Sequence, residues 1–146
     1  MKTNKLYFFL IITGLLFHVS CNQLSKEEQE FDGLMQKVID VHDEVMPKMG
    51  TMSSLIKDLE PKIDTTEVGK SHAKAQKNLK DSYDFMMDWM NDFSTKFPHG
   101  EENTAEDIEK FTAKMKMLQE EEIEVNKLKD QINSSIDNAK KLLEKS

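Results

Sequence analysis

One cysteine occurs among the 146 residues, Cys21, and its neighbours set the chemistry open to its sulfur. Met1-Lys2-Thr3-Asn4-Lys5 is cationic, Leu6 to Val19 is apolar, and Ser20 puts a small residue immediately before the thiol. That order makes a secretory leader, and a cysteine left first by the cut can be acylated. The apolar run is shorter than the about 20 residues a bilayer-spanning helix needs, so an uncleaved anchor suits it less well. Each buried methylene contributes about 0.8 kcal/mol, and two or more acyl chains hold stably where one holds only reversibly. Without acylation, in an ordinary secretory product cut nearby, Cys21 would be a free thiol outside the cytosol with no partner to pair with.

A second chemistry is spread along the chain. Of the ten methionines, all but Met1 follow the leader. Folding the chain at its two turn regions sets Met46 and Met49 opposite Met86, Met87 and Met90. The same folding brings Met115 and Met117 to that height, with His42 and Trp89 at or beside it. Thioethers and imidazole are ligands that soft copper prefers, so His42, Met46, Met49, Met86 and Met90 form a candidate copper(I) site. Methionine also fills irregular cores, and Met49, Met86, Met90 and Met115 fall on helical stripes that need no ligand. Packing is therefore the expectation, with no cofactor and copper as the alternative. Pro47 and Trp89 mark a candidate partner surface or small-ligand pocket at the same level.

Catalytic patterns are missing from the sequence. His42-Asp43-Glu44 has no second histidine four residues on, so it is not a zinc-protease motif. No Glu-x-x-His occurs, which removes the di-iron carboxylate pattern of helical bundles. There is no phosphate-cradling glycine loop and no serine elbow. The abundant carboxylates read as solvated helix faces paired with lysines, and the expectation is a protein that is not an enzyme.

Charge bounds the partners. The precursor carries a net charge of -7, and removing the leader deletes Lys2 and Lys5, leaving the mature chain more acidic. No basic stripe with interleaved aromatics is present to neutralise phosphates and stack bases, which excludes nucleic acid. An acidic surface also disfavours anionic headgroups, so attachment to a membrane must come from lipid on Cys21.

The elements that must position these residues are helices. Phe31, Leu34, Val38, Val41, Val45, Met49, Met52, Ile56, Leu59 and Ile63 recur three or four apart. The stripe passes Pro47 and Gly50 without a slip, which predicts one kinked helix of about 37 residues, with a break into two as the runner-up. A turn follows around Pro61 to Gly69, with Asp64, Thr65 or Thr66 as N-cap. The second helix carries His72, Ala75, Leu79, Tyr83, Met86, Met90, Phe93 and Phe97, and Pro98-His99-Gly100 ends it. Asn103 or Thr104 caps the third, whose stripe is Ile108, Phe111, Met115, Leu118, Val125, Leu128, Ile132, Ile136, Ala139 and Leu143, broken at Glu122 and Lys129. The fold class is all-α, an antiparallel up-down-up three-helix bundle of coiled-coil-like seams. It divides into a signal peptide at 1–20, a tether at 21–24 and the bundle at 25–146.

Leu16-Phe17-His18-Val19-Ser20-Cys21 resembles a bacterial lipobox, with His18 standing where leucine is usual. Lys26-Glu27-Glu28 resembles the acidic signal that exports lipoproteins to the surface in Bacteroidetes, and it reads equally as first-turn helix composition with Ser25 and Glu28 as a capping box. His42-Asp43-Glu44-Val45-Met46-Pro47-Lys48-Met49 and Asp88-Trp89-Met90-Asn91-Asp92-Phe93 resemble small Bacteroidetes lipoproteins labelled viral A-type inclusion proteins. That resemblance implies a helical lipoprotein of the cell envelope, anchored to the outer membrane on its periplasmic or surface face. The resemblance implies no particular activity; with the catalytic patterns missing, the expectation is a nonenzymatic structural or protein-interaction module engaging a protein partner.

Overall fold

The computed structural model describes residues 25–100, 105 and 107–145. The leader, Cys21 with its tether, and Asn103, Thr104 and Glu106 lie outside the described residues. Within them the chain is all-helical, with no strand. Helix α1 spans Lys26–Val45 and α2 Lys48–Leu59; a 3-10 turn at Glu60–Lys62 follows, then α3 at Glu67–Lys96 and α4 at Ile108–Glu144. No described helix is long and apolar enough to cross a membrane.

The start of α1 is the capping box that its sequence predicts. Ser25 Oγ accepts from the Glu28 backbone N–H at 3.1 Å, and Glu28 Oε2 accepts from the Ser25 N–H at 2.7 Å. Two of the donors orphaned at a helix start are thereby satisfied reciprocally.

Pro47 divides what the periodicity predicts as one kinked helix into two, of 20 and 12 residues. Proline has no N–H to offer the carbonyl four residues back, so the α-helical ladder lapses there. The backbone nevertheless stays right-handed helical through Met46 (φ −51°, ψ −43°) and Pro47 (φ −62°, ψ −21°). Met49 N–H donates to the Met46 carbonyl at 3.1 Å, a tighter bond that carries the chain across. The apolar phase survives: Phe31, Val38, Val45, Met52 and Leu59, spaced by heptads, have no exposed surface.

The first turn region is shorter than expected. Thr66 caps α3, its hydroxyl accepting from Gly69 N–H at 3.0 Å, so Gly69 lies inside the helix. The Asp64 carboxylate in turn accepts from the N–H and hydroxyl of Thr66. A Cβ on Gly69 would stand 1.9 Å from Asp64 Oδ1 and 2.5 Å from its backbone nitrogen, so the close approach requires glycine.

Along α3 the buried seam is His72, Ala75, Leu79, Ser82, Met86 and Trp89, at the alternating three and four spacing of coiled coils. Tyr83, Met90, Phe93 and Phe97, expected on that seam, are half-buried on its flank and pack against the core. Helix α4 begins later than expected: Asp107 is its N-cap, accepting from Lys110 N–H at 3.2 Å. Ile108, expected in the stripe, is 75% exposed because it opens the helix before a neighbouring rod covers it. The α4 seam runs through Phe111, Leu118, Glu121, Val125, Leu128, Ile132, Ser135 and Ala139. Its polar positions are thus Glu121 and Ser135, not Glu122 and Lys129, which are half-buried on the flank.

The seams meet in one core fed by all four helices. The Phe31 ring lies 6.3 Å from Phe97 and 5.6 Å from Phe111. Further along α1, His42 stacks on Trp89 at 5.7 Å, and Glu44 pairs with Lys129 at 2.7 Å. On α2, Lys48 donates to Asn133 Oδ1 at 2.8 Å, and the Ile56 carbonyl accepts from Gln76 Nε2 at 3.0 Å. Moving forward along α1 and α2 therefore moves backward along α3 and forward along α4.

Candidate functional site

The Pro47 level holds the residues singled out as metal ligands, in unlike environments. His42 is half-buried, its Nδ1 lies 3.0 Å from Asp43 Oδ1, and its ring faces Trp89. Met46, in the break between α1 and α2, is exposed, whereas Met86 has no exposed surface. Met49 and Met90 are half-buried and pack on the core. A cation would reach the Met86 sulfur only by opening that core. Among the described residues, no group of three or more His, Cys, Asp or Glu side chains is arranged to hold a metal.

Met115 and Met117 do not come to this level. Phe111 faces Phe31, and Lys129 faces Glu44, so Met115 and Met117 stand several turns nearer the α1 start than Met46. Because the α3–α4 connection sits beside the α1 start, residues only a few turns into α4 stay near that end. The supposed meeting of three methionine groups is a meeting of two.

Trp89 is buried, and its Nε1–H has no hydrogen-bond partner. It belongs to a run of rings: Trp89 stacks on Phe93 at 4.9 Å, and Phe93 lies 5.0 Å from Phe97, which leads on to Phe31 and Phe111. Pro47 is exposed. A hollow of about 280 Å³ opens beside this aromatic run, bounded by Met35, Ile39, Phe93, Phe97 and the Pro98-His99 turn. The hollow beside the stacked Trp89 and Phe93 opens toward the end of α3 and away from the break.

The end of the molecule where α1 starts is fastened by one carboxylate. Glu28 gives Oε2 to its own capping box and Oε1 to the Ala105 N–H at 2.9 Å, joining the start of α1 to the α3–α4 connection. The Ala105 N–H first, and then that of Ser25, hold the Glu28 carboxyl below its ordinary pKa. Glu28 of the Lys26-Glu27-Glu28 triplet is thus engaged in helix capping.

Three buried polar side chains keep an unsatisfied atom; the stripe of the second helix already holds His72, Trp89 is a candidate site residue, and Glu121 is the one the periodicity passes over. His72 places Nδ1 3.2 Å from the Lys62 carbonyl and leaves Nε2 bare; Trp89 Nε1 and Glu121 Oε2 are bare as well. Heptad position is the signal that finds Glu121, which falls between Leu118 and Val125 on the seam, where an apolar residue is due. Comparison with protein-family models, curated proteins and solved structures finds no match to this chain.

Proposed function

We propose that this chain is a nonenzymatic cell-envelope lipoprotein, anchored through acylated Cys21 to the outer membrane on its periplasmic or surface face. Its helical domain acts as an up-down-up three-helix bundle that presents a structural or interaction surface to another protein. The observation that carries this reading is the Ser25 capping box, because it opens α1 only four residues after Cys21. A tether of residues 21–24 spans at most about 14 Å, so lipid at Cys21 would hold the Ser25 end of the bundle against the bilayer.

The Glu28 link to Ala105 supports the same orientation, since it ties the α3–α4 connection to the tethered end. The Pro61 to Thr66 turn then forms the distal end. Val68, 61% exposed, and Ile63 offer apolar surface to a partner there. With α3 at 30 residues and α4 at 37, the rod reaches roughly 45–55 Å at about 1.5 Å per residue.

Mass spectrometry of the mature N-terminus, with membrane fractionation of wild type and Cys21→Ser, tests the anchor. An acylated Cys21 and release of Cys21→Ser from membranes are expected. An unmodified thiol, or a first residue other than Cys21, overturns the lipoprotein reading.

A further inference from the structure

We infer that the groove between α1–α2 and α3 is a docking site for a basic amphipathic helix of another protein. The inference rests on the reading of the domain as an interaction module and deepens it; it does not depend on lipid at Cys21.

The groove joins two hollows. One, of about 280 Å³, is walled by Met35 and Ile39 on α1 and by Phe93 and Phe97 on α3. The other, of about 360 Å³, is walled by Ser53 and Ile56 on α2 and by Lys80 and Tyr83 on α3. Between them stand two thioethers, Met46 with 38% of its surface exposed and Met87 with 45%. His42 meets Trp89 and the Ile56 carbonyl meets Gln76, which brings Met46 close to the level of Met87. Met46 is seven residues past Ile39 and Met87 four past Tyr83, so each continues the side of its helix that lines a hollow. From Met35 to Ile56 the groove runs for roughly 30 Å at about 1.5 Å per residue, the length of a helix of about 20 residues. Unbranched thioether side chains adapt to the face of such a helix.

The rim sets the charge of the partner. No lysine or arginine occurs between Lys37 and Lys48, or between Lys80 and Lys96. Asp40 and Asp43 lie along α1 between Ile39 and Met46, and Asp84 and Asp88 flank Met87 on α3; all four are exposed. Among the described residues none of them pairs with a lysine: Asp40 accepts from Gln36, and Asp43 lies against His42. A helix with lysine or arginine beside its apolar stripe supplies the missing cations. At the second hollow the sign changes, because Lys57 and Lys80 stand there. The C-terminal end of a helix, with its partial negative charge, fits that end. The partner helix therefore runs parallel to α1 and α2.

Other occupants fit less well. An extended strand would find no sheet edge for its N–H and C=O groups, whereas a helix satisfies its own. A second copy of this chain would bring the same aspartates to the groove, like charge against like. Anionic lipid headgroups meet the same repulsion.

Photocrosslinking to the full chain in phosphatidylcholine nanodiscs tests the site, with empty nanodiscs as the blank. The probe is a leucine–lysine amphipathic helix of about 20 residues carrying a benzophenone. Saturable binding is expected, with crosslinks that map to Met46 and Met87. A leucine–glutamate helix of the same pattern should bind about tenfold more weakly or worse. Asp43→Lys/Asp88→Lys and Met46→Ser/Met87→Ser should each weaken the lysine helix about tenfold. All four positions are exposed, so circular dichroism melting should stay as in the wild type. Glu120→Lys, on the exposed side of α4, should leave binding unchanged. The inference is overturned by crosslinks that are absent or fall outside the groove, by equal binding of the glutamate helix, or by binding that both double variants retain. Self-association of the chain through Met46 and Met87 without peptide also overturns it, by making a second copy the occupant. Membrane release of Cys21→Ser reads the anchor separately, and a negative result here leaves the distal surface at Val68 and Ile63 standing.

Discussion

The ammonium of Lys96 lies 2.6 Å from Glu121 Oε1, and that carboxylate has almost no exposed surface. The hydrogen bond that Lys96 donates to Glu121 holds the Lys96 pKa above its ordinary 10.5, with the attraction of the Glu121 charge adding to it. Lys96→Met leaves Glu121 buried without its cation and should cost about 1–3 kcal/mol, the range for an orphaned buried polar group. Lys96 is partly exposed, which keeps the figure below that for a fully buried pair. Glu121→Leu completes the apolar seam and should be neutral or stabilising. Urea denaturation at pH 7 compares the two. A lysine whose folded pKa is raised stabilises fully below pH 10.5 and loses that contribution as pH rises through the raised value. Glu121→Leu should flatten this alkaline decline.

The acid limb has different owners. Glu28, Asp64, Asp107 and Glu44 all have lowered pKa values, chiefly through the Ala105 N–H, the Thr66 hydroxyl, the Lys110 N–H and the Lys129 ammonium respectively. Carboxyls depressed in the folded state stabilise above their ordinary range, about pH 4, and lose that contribution as pH falls through the depressed values. The urea midpoint should hold between pH 7 and about pH 5 and drop below about pH 4. Glu28→Gln should lower it at neutral pH and flatten the acid drop. Ser25→Ala, which removes the N-cap, should cost about 1 kcal/mol.

Glycine substitutions should have opposite signs. Gly69→Ala drives a methyl group into Asp64 and should cost about 1–3 kcal/mol, as overpacking does. Gly33 and Gly50 are exposed in helices with nothing within 4 Å of a built Cβ. Alanine at either should stabilise by about 0.5–1 kcal/mol. Thermal melts of the three variants make the comparison.

Copper(I) separates packing from ligation at the Pro47 break. Competition against a copper(I) chelator should show no stoichiometric binding by the wild type. Met86→Ala, which empties a fully buried site, should cost about 2–5 kcal/mol, whereas exposed Met46→Ala should change stability little. Tight copper binding that Met46→Leu abolishes would restore the metal reading.

The heptad phase of the first stripe could be read directly, since Phe31, Val38, Val45, Met52 and Leu59 are buried where the spacing puts them. Phase alone carried across Pro47 because the backbone there stays helical. The α3 and α4 seams were harder to read. On α3 the apolar spacing points to Tyr83 and Met90 where Ser82 and Trp89 take the seam, because a large apolar side chain can pack from the flank. On α4 the cap is Asp107 and not Asn103 or Thr104, and Met115 and Met117, only about two to three turns beyond it, fall short of the Pro47 level. The candidate site was the least legible part, because stripe positions give the face of a side chain but only cross-helix contacts such as Glu44 with Lys129 give its height.

The two polar layers of the α3–α4 seam act together as a key to alignment. Lys96 meets Glu121, and Ser82 meets Ser135, two heptads along both helices. Apolar heptads alone would tolerate sliding by one repeat, because the same kinds of side chain would face each other again. Here a slip of one heptad would bring Glu121 to the level of Trp89 and strand a carboxylate against an indole without its ammonium. The polar residues that weaken the core as a hydrophobic seal thereby fix a single register for the two longest helices.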